Sequence, residues 1–273
     1  MSDSLLSLDD ITFSYDDGSS IISRLSLSIG CGQSIVLLGA NGCGKSTLLK
    51  LLAGLLFPTS GRYLAWSREI SESDLLNDAF GIFFRKNVGL LFQNSEVQLF
   101  NDSVFEEIAF TLRQLQESDE SIHNRVDQLL ERLNIKHLEN RSPFALSGGE
   151  KKKVALASIL AVNPEVILLD EPTAMLDPKS ARIVTDIIIE SKEARKTIIT
   201  ATHDLHIVSE VADKVVVLSE TGQIMATGAP KEVLDNQGVL RAANLLHIHR
   251  HRHENQWHEH EHIHDYSHSH DHS

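Results

Sequence analysis

The chain has 273 residues and carries 25 basic side chains against 38 acidic ones, a formal charge of −13 with histidine neutral. That length suits one large domain or two small ones, and the acidic balance argues against a nucleic-acid partner, because phosphate binding needs a basic face. Hydrophobic content of 41% and charged content of 23% exclude wholesale disorder. No apolar run approaches the ~18 residues that span a bilayer, and the opening MSDSLLSLDD lacks the basic flank and apolar stretch of a secretory signal. Cys31 and Cys43 are too few for a disulfide framework. The expectation is a soluble cytoplasmic protein.

In chain order, β-type runs come first, at Leu5–Leu8, Ile11–Phe13 and Leu25–Ile29, with a turn at Asp16-Asp17-Gly18 between the last two. The apolar run Ile35–Leu38 leads through a glycine-rich turn into a helical pattern at Leu48, Leu49, Leu51, Leu52 and Leu55. No period governs residues 63–86, and Val88–Phe92 reads as a strand. Helical periodicity runs from Val104 to Leu133, broken at Gln116–Ser121, and again from Gly148 to Ala161. Beyond that, buried-type strands (Val166–Leu169, Thr197–Ala201, Val215–Leu218) alternate with helical runs (Ile183–Ser191, Leu205–Ala212), the pattern of a parallel sheet with helices on its faces. The helix-only middle predicts a helical subdomain inserted into the sheet domain. A short helix at Lys231–Leu234 and a weaker amphipathic stretch at Val239–Leu246 lead to the C-terminal tail.

Three motifs carry chemistry. Residues 39–47 read GANGCGKST, which satisfies G-x-x-x-x-G-K-[ST] with a strand before it and a helix after. Gly39, Asn41, Gly42, Cys43 and Gly44 would wrap backbone N–H groups around a phosphate at the helix N-terminus. Lys45 would reach the β- and γ-phosphates of ATP, Ser46 would sit on Mg2+, and Thr47 adds a donor. Cys43 reads as a small filler, not a nucleophile. Residues 166–172 read VILLDEP, a buried strand that delivers Asp170 and Glu171 to the carboxyl edge of the sheet. Asp170 suits the Mg2+ shell, and Glu171 suits a general base acting on the attacking water. Residues 146–150 read LSGGE and open a helix, so Ser147, Gly148 and Gly149 present a second set of N–H groups to a phosphate. One glycine loop already serves one nucleotide, so this second helix start asks for a second molecule.

Taken in order, GANGCGKST, Gln93, LSGGE, VILLDEP, the AMLD of residues 174–177 and His203 form a set that resembles the ATPase subunits of ATP-binding-cassette (ABC) transporters, over residues 5–235. The resemblance implies an α/β P-loop NTPase core with N-terminal antiparallel β-strands and an inserted helical subdomain. The expected domain organisation is an ATPase domain over residues 1–238, its helical subdomain at about 93–163, with a flexible histidine-rich tail over 239–273. The resemblance also implies a head-to-tail dimer, of identical chains or with a second ABC ATPase, in which each ATP lies between the glycine loop of one chain and Ser147, Gly148 and Gly149 of the other. Gln93 would contact Mg2+ and the attacking water, Asp177 would cross the dimer interface, His203 would hold the γ-phosphate, and Tyr15 would stack on adenine. Integral membrane transport subunits are the implied partners, with the chain peripheral on the cytoplasmic face. Glu150 stands where the family most often has glutamine; the expectation is an altered local contact with binding intact.

Residues 87–115 narrow the resemblance to the ATPases of energy-coupling-factor importers, which typically carry Gln-Asn-Pro-x-x-Gln-Leu-Phe here. Ser95 replaces the proline, while Gln93, Asn94, Gln98, Leu99 and Phe100 are kept. By that resemblance, such a stretch would dock a transmembrane partner's cytoplasmic helices.

Eleven of the fifteen histidines crowd the tail: His247, His249, His251, His253, His258, His260, His262, His264, His268, His270 and His272. The i, i+2 period puts imidazoles on one face of an extended chain, about 7 Å apart per step, and neutral imidazole suits nickel, cobalt, copper and zinc. A purification tag would be a uniform run, whereas these histidines alternate with Ile, Arg, Glu, Ser and Asp. A solvated tail without a role stays as the alternative. The combined reading is an ATPase subunit driving import of nickel or cobalt ions. Competing readings are an importer of zinc, cobalamin or a vitamin, a non-transport ABC ATPase, and a metal-storage protein with a vestigial ATPase. Intact Lys45, Asp170, Glu171 and His203 speak against the last.

Overall fold

Three short apolar strands are buried at every position: β3 (Ser34–Leu38), β7 (Val166–Asp170) and β8 (Thr197–Ala201). Such strands belong in the middle of a parallel sheet covered on both faces. The computed structural model describes residues 4–16, 18, 20–76, 78–253 and 256–263. In chain order the remaining strands are β1 (Ser4–Ser14), β2 (Ser20–Gly30), β4 (Ser60–Ala65), β5 (Arg68–Glu69), β6 (Val88–Leu91), β9 (Lys214–Leu218), β10 (Ile224–Gly228), β11 (Leu246–His253) and β12 (Gln256–Ile263). The helices are α1 (Lys45–Leu52), α2 (Glu72–Leu76), α3 (Asp78–Asn87), α4 (Val104–Gln114), α5 (Asp119–Arg132), α6 (Gly148–Ala161), α7 (Pro178–Glu193), α8 (Leu205–Val211), α9 (Pro230–Leu234) and α10 (Gln237–Ala242).

The central sheet has the order β10-β9-β3-β8-β7-β6, parallel except for β10 on its edge, and a second sheet, β2-β1-β4-β5, is antiparallel. Strand alternation sends side chains of the central sheet into two cores. Val36, Leu38, Ile167 and Leu169 meet helices α4–α8 on one face, while Ile35, Leu37, Val166 and Leu168 meet α1 and the antiparallel sheet on the other. The helices between α4 and α6 form a continuous helical block with serine N-caps at Ser103, Ser118 and Ser147.

The structure departs from the sequence reading in three places. Leu5–Leu8 and Ile11–Phe13 belong to one strand, because Asp10 sits at φ 49 in a register shift that the ladder passes across. Residues 63–86 contain β4, β5, α2 and α3. Their period is unreadable because Phe80, Ile82, Phe83 and Phe84 run around α3, with only Phe84 fully buried. β10 alternates half-buried and exposed positions at the sheet edge, too weak a pattern to see. Toward the C-terminus α10 spans residues 237–242, and β11 pairs antiparallel with β12.

Candidate nucleotide site

From the end of β3 the chain turns through residues 39–44 into α1. Gly42 and Gly44 hold φ of +81° and +101°, and a Cβ on Gly44 would lie 3.1 Å from Ile21. Both conformation and space call for glycine there. Lys45 is nearly buried beneath this loop, and its Nζ donates to Gly39 O at 2.8 Å and Ala40 O at 3.0 Å. Gly39 and Cys43 face the core behind the loop, where burial pushes the Cys43 thiol up. Tyr15 stands beside the loop, its hydroxyl 3.2 Å from Thr47 Oγ1 and its ring edge-on to Phe13.

The acidic residues come from the neighbouring strands. Asp170 ends β7, and its Oδ1 is buried with no hydrogen-bond partner among the described residues. Burial raises its pKa, against the lowering effect of the Ser46 hydroxyl. Glu171 follows in the left-handed region at φ 48°, held there by its N–H donating to Ala201 O at 2.9 Å. Its Oε2 accepts from Thr202 Oγ1 at 3.2 Å and its Oε1 from His203 Nδ1 at 2.8 Å. The hydrogen bond to Glu171 raises the His203 pKa, with burial opposing. Behind them Lys152 Nζ donates to the carbonyls of Glu171 and Ala174, both at 2.8 Å, and burial lowers its pKa. Lys152 and Thr202 escaped the sequence reading: a KKK run reads as a solvated helix face, and a threonine at a strand end carries no motif.

A cleft of about 990 Å³ runs along the carboxyl ends of β3, β7 and β8, where open α/β sheets bind ligands; Tyr15, Gly39, Cys43, Lys152 and Thr202 are not among its lining residues. Asn41, Gly42, Gly44, Lys45, Ser46, Thr47, Gln93, Asp170, Glu171 and His203 all line it. Met175, 94% exposed, lines its rim and was not foreseen. Gln98 fixes the approach to Gln93, accepting from Phe92 N at 2.9 Å and donating to Leu90 O at 2.9 Å. The oxygen donors Ser46, Gln93 and Asp170, with the orphaned Asp170 Oδ1, suit a hard divalent cation such as Mg2+.

Other expected residues lie outside the cleft. Ser147 N-caps α6 in a closed capping box: its backbone N–H and its hydroxyl donate to Glu150 Oε2 at 2.8 and 2.7 Å, and Glu150 N–H returns to Ser147 Oγ at 3.4 Å. The Ser147 hydroxyl holds the Glu150 carboxyl below its usual range. Gly148 and Gly149 follow in the same first turn. Asp177 caps α7, accepting from Ser180 N–H at 3.0 Å. His247, His249, His251, His253, His258, His260 and His262 fall on β11 and β12, whereas His264, His268, His270 and His272 lie outside the described residues. Among residues whose side chains are described, a set to which the tail histidines do not belong, no three His, Cys, Asp or Glu cluster closely enough to hold a metal ion.

A family profile described as "ABC transporter" matches residues 22–174. The chain belongs to the ABC transporter ATP-binding family. As an ABC ATPase, it is 46% identical over 242 residues to the nickel import ATP-binding protein NikO of Rhodobacter capsulatus, covering 88% of this chain and 94% of that one. It is also 38% identical to the energy-coupling factor transporter ATP-binding protein EcfA2 of Clostridium perfringens, over 90% of this chain and 85% of that one. Among solved structures, cbiO1 of Clostridium perfringens, part of the ABC transporter complex cbiONQ, superposes with a TM-score of 0.74 at 36% identity, covering 89% of this chain and 95% of that one. The fold and the ATP-hydrolysing activity of this ABC ATPase follow from that membership. No helix among the described residues is long and apolar enough to cross a membrane.

Proposed function

We propose that this ABC ATPase drives import of nickel or cobalt ions, as a dimer with itself or a second ATPase, peripheral to integral membrane subunits on the cytoplasmic face. The observation that carries this reading is 46% identity, over most of both chains, to a protein named for nickel import. The histidine-rich tail supports it, since imidazole is a preferred ligand of late first-row divalent ions; the tail would hold the transported metal near the transporter.

Within the cleft, Lys45 exchanges its loop carbonyls for the β- and γ-phosphates, and the glycine-loop N–H groups receive the phosphate oxygens. Ser46, Gln93 and Asp170 would hold Mg2+, which when bound neutralises the phosphate charge. Glu171 takes the proton of the attacking water, and Thr202 and His203 fix the direction of its carboxylate. Tyr15 stacks on adenine once its hydroxyl leaves Thr47. The partner chain's Ser147 and glycines close the second side, with Asp177 crossing between chains. Val97 (71% exposed) and Phe100 (60% exposed, edge-on to Phe110) form an apolar patch beside Gln98, suited to a membrane subunit's cytoplasmic helix. That patch links partner movement to Gln93 through Gln98.

The test is cellular nickel and cobalt content at trace supply, in a deletion strain carrying wild type, Glu171→Gln, or a chain stopped after Leu246. Content collapses with Glu171→Gln and falls partly with the truncation. Unchanged content of both metals in every strain overturns the metal reading and leaves another importer substrate, such as zinc, cobalamin or a vitamin.

A further inference from the structure

The first two turns of α6 carry the segment that bears Glu171. In the first turn Gly149 runs so close to this segment that a Cβ there would stand 3.1 Å from Leu176 Cδ2. In the second, Lys152 Nζ donates to Glu171 O and Ala174 O, both at 2.8 Å. These carbonyls bound a turn that closes itself only weakly, by Ala174 N–H donating to Glu171 O at 3.3 Å. Glu171 and Met175 both hold left-handed backbone, at φ 48° and 65°, which non-glycine residues keep only where surrounding contacts impose it. Lys152 is 4% exposed, so its charge has to be met by these acceptors, and charge-assisted hydrogen bonds are the stronger kind. Its neighbour Lys151 pairs with Glu96 instead. Past the turn, Leu176 packs on the helical core and Asp177 caps α7. The segment 171–177 is thus seated on α6 at Glu171, Ala174 and Leu176.

We infer that Lys152 is a positioning residue that couples two ATP sites: through it, a nucleotide held against the start of α6 sets the stance of Glu171 in the same chain. The inference rests on the proposed dimer, in which Ser147, Gly148 and Gly149 of one chain meet the ATP carried by the other. Lys152 lies about 7.5 Å along the helix axis from Ser147, with no break in α6 between them. A displacement of the helix start therefore reaches the Glu171 carbonyl through one rigid element and two strong hydrogen bonds. The Glu171 carboxylate is meanwhile fixed from the β8 side by Thr202 and His203, so movement at its backbone turns the carboxylate within the cleft. The groups that grip the nucleotide, Lys45, Ser46 and the glycine loop, belong to the β3–α1 connection, outside this path. Occupation of one site should thus change the rate of hydrolysis at the other and leave its ATP affinity alone.

Mixed dimers of the full-length chain test this. Two copies carrying different peptide tags are purified through both tags, one of them with Lys45→Ala so that only its partner's glycine loop holds ATP. The coupling ratio is ATP turnover per intact site in the all-intact dimer divided by that in the mixed dimer. It is read at saturating Mg-ATP and at a protein concentration where turnover per site no longer rises, with ATP affinity measured beside it by fluorescent nucleotide. The same ratio is then taken with Lys152→Met in both chains, and any loss of folded protein cancels within it. With Lys152 intact a ratio of about fivefold or more is expected, the low end of coupling between sites. Lys152→Met should bring the ratio within about twofold of one, with ATP affinity unchanged. Lys152→Gln, uncharged and one atom shorter, gives a second reading that should fall between. A ratio equal to wild type in either folded variant overturns the inference and leaves Lys152 a structural cation; a wild-type ratio near one overturns it as well. Light scattering of the Glu171→Gln chain with Mg-ATP reads the dimer separately, and a monomer there overturns the dimer reading and this inference with it.

Discussion

The helix starts at α1 and α6 are built in opposite ways. At α1, Gly44 caps the helix with no side-chain hydrogen bond, and the surrounding loop presents backbone donors to a deep cleft. At α6, Ser147 is already engaged by Glu150 through both its hydroxyl and its N–H, and the turn is exposed to solvent. An anion entering the first site meets donors and a lysine. An anion approaching the second must displace or rotate a carboxylate that carries like charge. The helix start at α1 opens onto the cleft, whereas that at α6 is closed by its own glutamate.

Breaking the prepared half should have the largest effects. Glu171→Gln is expected to lower kcat by about 10²–10⁴-fold, the usual worth of a positioned general base, with ATP affinity retained; steady-state ATPase assays beside nucleotide binding separate the two, and an unchanged kcat removes Glu171 from the chemistry. Lys45→Ala should weaken ATP binding by about 1.5–3 kcal/mol, the range of a charge-assisted hydrogen bond, read by titration with a fluorescent nucleotide. Lys152→Met leaves the carbonyls of Glu171 and Ala174 without their buried donor, at about 1–3 kcal/mol each. It should lower the unfolding midpoint and kcat together, whereas a fall in stability alone would make Lys152 purely structural.

The closed half predicts smaller and oppositely signed effects. Glu150→Gln keeps the shape of the capping side chain and removes its charge, so the ATP KM should fall a few-fold with little change in thermal stability. Glu150→Ala opens the box and should cost on the order of 1 kcal/mol. A KM that rises in Glu150→Gln would show the carboxylate helping nucleotide instead of opposing it. Because the folded carboxyl is held below its ordinary value of 4.5, its capping contribution is complete above that pH and is lost as pH falls through the lowered value. Carboxyl chemical shifts of Glu150 followed against pH would check the direction.

Legibility in the sequence followed how locally each feature is encoded. The buried strands at 35–38, 166–169 and 197–201 and the glycine loop were readable, because continuous apolar runs and the G-x-x-x-x-G-K-[ST] spacing are properties of adjacent residues. The departure at Glu150 was visible, but not its consequence, since a closed capping box needs atomic distances. Lys152 illustrates the harder case: two of its carbonyl partners lie 19 and 22 residues away, and nothing in a basic run tells which lysine turns inward. In the tail, alternation with period two is a strand signature, and the backbone pairing of residues 246–253 with 256–263 follows it.

Glu171 holds a left-handed backbone that only glycine adopts freely, fixed by Ala201 O behind it and by Thr202 and His203 on its carboxylate. The end of β8 therefore sets where this carboxylate stands, and a change there reaches it without altering Glu171 itself.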